Sequence, residues 1–244
     1  ALSLDQSLVK HLIDGTAFAM AQQDVRYYLN GLYLEILGGR LRVVATDGHR
    51  LALATAPQRV DADDIGVIIP RKGVLELARL LDGNAPLELM IGSNHIQAAN
   101  EQFTFTSKLV DGKFPDYERV IPKNADKFVV GDRAELRQAF TRTAILSNEK
   151  YRGVRLKLTD NNLEITANNP EQEQAEEVVA VQYAGSDLEI GFNVSYLLDV
   201  LGVLDQSQVR LSLSDEASSA LLEHAESPAE EEPERLYVVM PMRL

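Results

Sequence analysis

Apolar and polar residues alternate in two stretches, 31–47 and 153–169, that lie 122 positions apart in a chain of 244. Gly31, Leu32, Leu34, Ile36, Leu41, Val43 and Ala45 recur as Gly153, Val154, Leu156, Leu158, Leu163, Ile165 and Ala167. A period of two predicts strands with one buried face. Gly38-Gly39 in one copy and Asp160-Asn161-Asn162 in the other are turn formers, so each stretch reads as a hairpin. Repetition at half the chain length predicts a duplicated domain.

Helical spacing flanks each hairpin. Val9, Leu12, Ile13, Thr16 and Ala17 correspond to Leu136, Ala139, Phe140, Thr143 and Ala144, behind Asp5 and Asp132, which suit N-caps. The offset here is 127, so the first copy carries five extra residues near 19–28. A second helix is predicted over Pro70–Leu81 in one copy and Asn193–Leu204 in the other. The result is an α+β chain of two similar tandem domains, 1–126 and 127–244, each with two helices packed on antiparallel sheets. Domains of about 120 residues lie in the usual range.

Composition narrows the function classes. No apolar run approaches the roughly 20 residues needed to cross a membrane. The chain has no Cys, which removes disulfides and thiolate chemistry and fits a cytoplasmic protein. It begins Ala1-Leu2-Ser3 without an initiator Met, as a trimmed piece of a longer polypeptide would. The net charge of −13 argues against a polyanionic partner until its distribution is considered. Seven acids between Glu164 and Glu189 and six between Glu223 and Glu234 stand without a Lys or Arg among them. Outside these two stretches acidic and basic residues balance at 24 each. The second stretch, with Pro228 and Pro233, reads as a solvated loop.

Basic residues gather on the predicted helices: Arg71, Lys72 and Arg79 on the second, Arg133, Arg137 and Arg142 on the third. They read either as a solvated surface or as a face offering weak, sequence-independent contact to phosphates. Catalysis finds no seat. Asp47 and His49 suggest a dyad, but there is no Gly-x-Ser-x-Gly elbow, no His-Glu-x-x-His helix, no Walker A loop and no Gly-x-Gly-x-x-Gly. Histidines 11, 49, 95 and 224 lack ligand spacing, so no metal and no cofactor are expected. Thr46-Asp47-Gly48 reads more simply as a strand-end turn, matched by Asn169-Pro170 in the second copy.

Seven segments carry a more specific signal: 24–31 (Asp-Val-Arg-Tyr-Tyr-Leu-Asn-Gly), 45–51 (Ala-Thr-Asp-Gly-His-Arg-Leu), 70–73 (Pro-Arg-Lys-Gly), 107–117 (Ser-Lys-Leu-Val-Asp-Gly-Lys-Phe-Pro-Asp-Tyr), 146–150 (Leu-Ser-Asn-Glu-Lys), 191–196 (Gly-Phe-Asn-Val-Ser-Tyr) and 238–244 (Val-Val-Met-Pro-Met-Arg-Leu). In this order, from the first helix to the last residue, the chain resembles the bacterial DNA polymerase III beta subunit family, the sliding clamps, over their second and third domains. The resemblance implies the DNA clamp fold and a non-enzymatic processivity factor. Such a protein encircles duplex DNA as a homodimeric ring and tethers other proteins; a chain without the first domain would not close that ring.

The implied partners are double-stranded DNA, held weakly and without base readout, and several proteins that dock short Leu/Phe-containing motifs. These are the DNA polymerase III alpha subunit, the clamp loader delta subunit, translesion polymerases and mismatch-repair proteins. Facing DNA, the resemblance implies Gln23, Tyr27, Arg71 and Lys72, with Arg133 and Arg137 as neighbours. For the peptide pocket between the domains it implies Arg26, Tyr28, Leu29, Thr46, Gly48, His49, Arg50 and Leu51 from the first domain, and Pro115, Arg119 and Val120 from the connector. Asn193, Tyr196, Ser219, Val238, Val239, Met240, Pro241, Met242 and Arg243 complete it. Ile145 and Leu146 match the apolar part of the joint between subunits. Apolar walls with a few polar groups suit an anchor peptide, and Met adapts to varied partners. Without the resemblance, Val238–Met242 reads as an edge strand packed on the core; a strand with two faces serves both ends. A scaffold that binds proteins without touching DNA remains the alternative.

Overall fold

The computed structural model describes residues 1–147, 150 and 152–243. Asn148, Glu149 and Leu244, which belong to the resemblance-bearing segments, lie outside the described residues. The chain divides into two compact units, Ala1–Asp116 with Pro228–Arg235, and Tyr117–Ser227 with Leu236–Leu244. The sequence reading placed the division near Asp126. The connector from Tyr117 to Asp126 instead groups with the second unit, where Tyr117 is buried and the Asp126 amide donates to the Leu213 carbonyl at 3.1 Å.

The first unit runs β1 (Leu2–Asp5), α1 (Gln6–Asp14), β2 (Gly31–Leu37), β3 (Arg40–Thr46), β4 (Arg50–Thr55), β5 (Ile65–Pro70), α2 (Arg71–Leu80), β6 (Pro86–Ile91), β7 (His95–Ala99) and β8 (Thr104–Lys108). The second repeats that order as β9 (Lys127–Asp132), α3 (Arg133–Ala144), β10 (Gly153–Thr159), β11 (Asn162–Asn168), β12 (Gln174–Ala180), β13 (Leu188–Asn193), α4 (Val194–Val203), β14 (Gln208–Leu213), β15 (Ala220–His224) and β16 (Glu234–Val239). In the first unit the strand orders are β5-β2-β3-β4 and β1-β6-β7-β8, and in the second β13-β10-β11-β12 and β9-β14-β15-β16. All the pairings within each unit are antiparallel.

Each unit is itself a doubled βαβββ motif whose halves exchange their first strands. Strand β1 pairs with β6 of the other half, and β5 pairs with β2. Periodicity shows the duplication of the whole unit but not this inner one, because exchange is a choice of partner and leaves the burial alternation unchanged.

The expected hairpins form in register, Leu34 opposite Val43 and Ile36 opposite Leu41 in one, Leu156 opposite Ile165 and Leu158 opposite Leu163 in the other. Gly38 and Gly39 take φ of 58° and 79° at the first turn, the left-handed values a two-residue hairpin loop requires. Asn161 supplies φ 54° at the second, where Thr159 already faces Asn162 across the ladder. The loop is thus one residue shorter than the sequence suggests.

Both predicted caps are made: Asp5 Oδ1 accepts from the Ser7 amide at 3.1 Å, and Asp132 Oδ2 from the Glu135 amide at 3.0 Å. Asn193 caps α4 in the same way, accepting from the Ser195 amide at 2.9 Å. Apolar faces of α1 and α2 meet both sheets of the first unit through Leu4, Val9, Leu12, Leu34, Val43, Val74, Leu77 and Leu89. In the second unit the fully buried core includes Leu136, Phe140, Leu156, Phe192 and Tyr237. No helix among the described residues is long and apolar enough to cross a membrane.

These contacts set an expected order of stability losses. Leu156→Ala should cost about 2–5 kcal/mol, the range for truncating a well-packed core residue. Asp132→Ala should cost about 1 kcal/mol through one lost cap. Chemical denaturation of the two variants beside the parent chain checks both the sizes and the order.

Candidate functional site

In the first unit, the turn from Thr46 to Arg50 is built by its own side chains. The Thr46 hydroxyl donates to the Arg50 carbonyl at 2.6 Å and accepts from the Gly48 amide at 3.2 Å. Asp47 Oδ1 accepts from the amides of His49 and Arg50 at 2.9 and 3.1 Å, and Oδ2 from Arg50 Nε at 3.2 Å. Arg50 Nη2 reaches the Phe18 carbonyl at 3.1 Å, with its guanidinium carbon 5.4 Å from the centre of the Phe18 ring. Asp47 is therefore committed to holding the turn.

The segment 20–30 lies against this turn. Asn30 fixes it by accepting from the Asp24 amide at 2.9 Å and donating to the Asp24 carbonyl at 3.0 Å. Arg26 Nε and Nη2 donate to the two Asp24 carboxylate oxygens at 3.1 and 3.0 Å, and Nη2 also donates to the Asp47 carbonyl at 3.4 Å. Hydrogen bonds from Arg26, with its charge close by, hold the Asp24 carboxyl below the usual carboxylate range and push the guanidinium up from its ordinary value. Gly48 has φ 91°, and a Cβ there would stand 2.9 Å from Arg26 Nη2. The positive φ favours glycine here, and a Cβ would also push the guanidinium off the turn.

Of the expected peptide residues in the first unit, Arg26, Gly48, His49 and Pro115 are exposed, and Tyr28, Thr46 and Arg50 are half-buried. Leu29 and Leu51 are each 2% exposed and belong to the unit's core. Of the expected DNA residues, Gln23 is exposed with φ 55°, Tyr27 is 54% exposed, and the Lys72 side chain is 89% exposed. Arg71 is half-buried, its Nη1 3.5 Å from the Met20 carbonyl.

In the second unit, Arg119, Val120 and Ser219 line one cavity of about 570 Å³, together with Ala217 and Ser218. Its rim is ordered by Asp215, whose carboxyl is held low by hydrogen bonds from the Ser218 hydroxyl and the Ala217 amide. Val238 and Val239 are buried in β16, whereas Met240 is 46% exposed; β16 has strand neighbours on both sides, so the expected edge strand is an interior one. Pro241 and Met242 are half-buried and Arg243 is exposed. The Met242 amide donates to the Gly191 carbonyl at 2.8 Å, so the tail resumes pairing along β13. Met242 and Arg243 line a second cavity, of about 560 Å³. Asn193 serves as the α4 cap, and Tyr196 is half-buried in the first turn of that helix.

The basic face of α3 is divided by use. Arg133 Nε donates to the Leu201 carbonyl at 2.8 Å, satisfying the end of α4, and Arg142 pairs with Glu177 at 2.6 Å. Arg137 is exposed. Ile145 is 77% exposed at the end of α3, and Leu146 is half-buried. Among the described residues no group of acids and histidines is arranged to hold a metal ion. Sequence reasoning missed the supporting residues Phe18 and Asp24. The spacing Asp-x-Arg at 24–26 is the signal that could have found Asp24.

Comparison with known proteins places the chain in a family. The description "DNA polymerase III beta subunit, central domain" matches residues 3–116, and "DNA polymerase III beta subunit, C-terminal domain" matches 118–243. The Beta sliding clamp of Pseudomonas aeruginosa is 62% identical over 244 residues, covering 99% of this chain and 65% of that protein. The chain thus spans about two thirds of the length of the relatives it matches. A crystal structure of the DNA polymerase sliding clamp from Pseudomonas aeruginosa with ligand superposes with a TM-score of 0.96 at 61% identity, covering 99% of this chain and 66% of that one. Another, of the sliding clamp from the same organism bound to griselimycin, gives 0.94 at 61% identity, covering 99% of this chain and 65% of that one. The chain belongs to the DNA polymerase III beta subunit family and contains its central and C-terminal domains.

Proposed function

We propose that this chain is the part of a sliding clamp that carries the peptide-binding residues and much of the DNA-facing surface. In the whole protein, acting in the cytoplasm as a homodimeric ring, it would hold polymerase and other replication or repair proteins on duplex DNA. No chemical step is assigned to it. The observation that carries the reading is the match of both units to beta subunit domains at 62% identity along 99% of the chain.

The physical requirements of a clamp support it. Retention on DNA during movement needs enclosure with weak phosphate contacts, because base readout would create sticking points. Lys72 and Arg137, exposed on helices, and Gln23 and Tyr27, exposed on the 20–30 segment, suit that role. Arg71 and Arg133 are partly spent inside their units and would contribute less. For peptides, the contrast between buried Val238–Val239 and exposed Met240 supports a tail anchored at one end and adaptable at the other. The docked motifs would come from the polymerase III alpha subunit, the clamp loader delta subunit, translesion polymerases and mismatch-repair proteins.

Ile145 and Leu146 are proposed for the joint between subunits. Ile145, exposed at the end of α3, lies on the unit whose strand β12 is an edge, with Val178 on that strand 59% exposed. The Arg142–Glu177 pair ties α3 to β12. An apolar pair beside an open strand edge is the kind of surface that a second chain covers.

Two measurements test these assignments. A Gln-Leu-x-Leu-Phe-type peptide should bind the parent chain and lose at least about ten-fold in affinity when residues 240–244 are removed, as expected when hot-spot contacts worth about 1–2 kcal/mol are lost; equal affinity would contradict the tail's role. Charge reversal of Arg71, Lys72 and Arg137 should abolish salt-sensitive duplex binding and leave the peptide affinity unchanged. Persistence of DNA binding in that variant would favour the scaffold alternative or a different DNA face.

A further inference from the structure

Arg26 stands in both proposed surfaces at once. In sequence it lies between Gln23 and Tyr27, assigned to DNA, and in space its guanidinium covers Gly48 in the turn assigned to peptide. A single carboxylate decides which way it faces. Asp24 accepts from Arg26 Nε and Nη2 through separate oxygens, a bidentate geometry that orients the guanidinium plane toward the Asp47 carbonyl. The segment itself does not depend on that pair, since Asn30 holds the Asp24 backbone from both sides and the Ala21 amide donates to the Leu29 carbonyl at 3.1 Å.

We propose that Asp24 is a positioning residue that allocates Arg26, holding its guanidinium against the Thr46–Arg50 turn for peptide binding and withholding it from DNA phosphate. This rests on the proposed reading of the two surfaces. The Arg26 side chain is 47% exposed, so a phosphate could reach it, but only by competing with a carboxylate already in place. A paired guanidinium presents little net charge to a second anion, which keeps this contact weak where a sliding protein needs weakness.

Allocation predicts effects of opposite sign from one substitution. Asp24→Asn keeps an oxygen to accept from the Arg26 amide and loses the charge that holds the guanidinium. Short-duplex affinity of the chain should then rise about two- to five-fold, the range for releasing an exposed ion pair. The slope of log affinity against log salt should steepen by about 0.9, for one added phosphate contact. Affinity for the Gln-Leu-x-Leu-Phe-type peptide should fall by a similar factor.

In an Arg26→Gln background the same Asp24→Asn change should leave DNA affinity unaltered. A gain that persists there would be general relief of negative charge and would overturn the proposal, as would a variant that moves both affinities together or neither. Failure of the parent chain to bind duplex DNA at all would overturn the DNA reading and this inference with it. Parent binding to both ligands with a silent Asp24→Asn variant would overturn the inference alone.

Discussion

Four times in this chain a strand runs directly into a helix: Asp5 to Gln6, Pro70 to Arg71, Asp132 to Arg133 and Asn193 to Val194. With no linker residue, the direction of each helix follows from the strand that feeds it, and three of the four junctions are closed by a side-chain cap. Because those feeding strands, β1, β5, β9 and β13, are also the exchanged ones, each helix is tied to the opposite half of its unit. The basic residues Arg71, Lys72 and Arg133 open two of these helices and are placed by the same junctions. That constraint makes each unit a packed platform of its own, and the surfaces proposed for DNA and peptide stand on these units.

Around Thr46–Arg50 the platform is finished by charge rather than by apolar contact. Asp47 gathers two amides and Arg50, Arg50 reaches Phe18, and Arg26 lies across Gly48 under the control of Asp24. Solvent screening leaves the exposed Asp24–Arg26 pair little weight in stability. Its weight, like that of the Asp47–Arg50 bonds, lies in orientation: bidentate and backbone-directed bonds fix where guanidinium groups point.

Much of the fold was legible in the sequence because its signals are local. Period-two alternation located the hairpins, and Asp5 and Asp132 announced their helices. What local pattern cannot encode is the choice of partner. Strand exchange within each unit, the grouping of Tyr117 with the second unit and the commitment of Arg133 to the Leu201 carbonyl are all long-range pairings. The same limit explains the site residues. Resemblance names Leu29 and Leu51 without showing that both are buried, because a motif records which residues matter and not how deep they lie. It also named Arg26 without Asp24, since the supporting carboxylate is visible only as geometry.

The central claim is that one surface of this chain meets duplex DNA while another receives apolar anchor peptides. Amide chemical-shift mapping of the isotopically labelled chain, with each ligand in turn, tests it most directly. Duplex DNA should perturb Gln23, Tyr27, Lys72 and Arg137, while a Leu/Phe-containing peptide should perturb Gly48, His49, Val120, Met240 and Met242. Perturbation of the same residues by both ligands, or of neither set by either, would contradict the account.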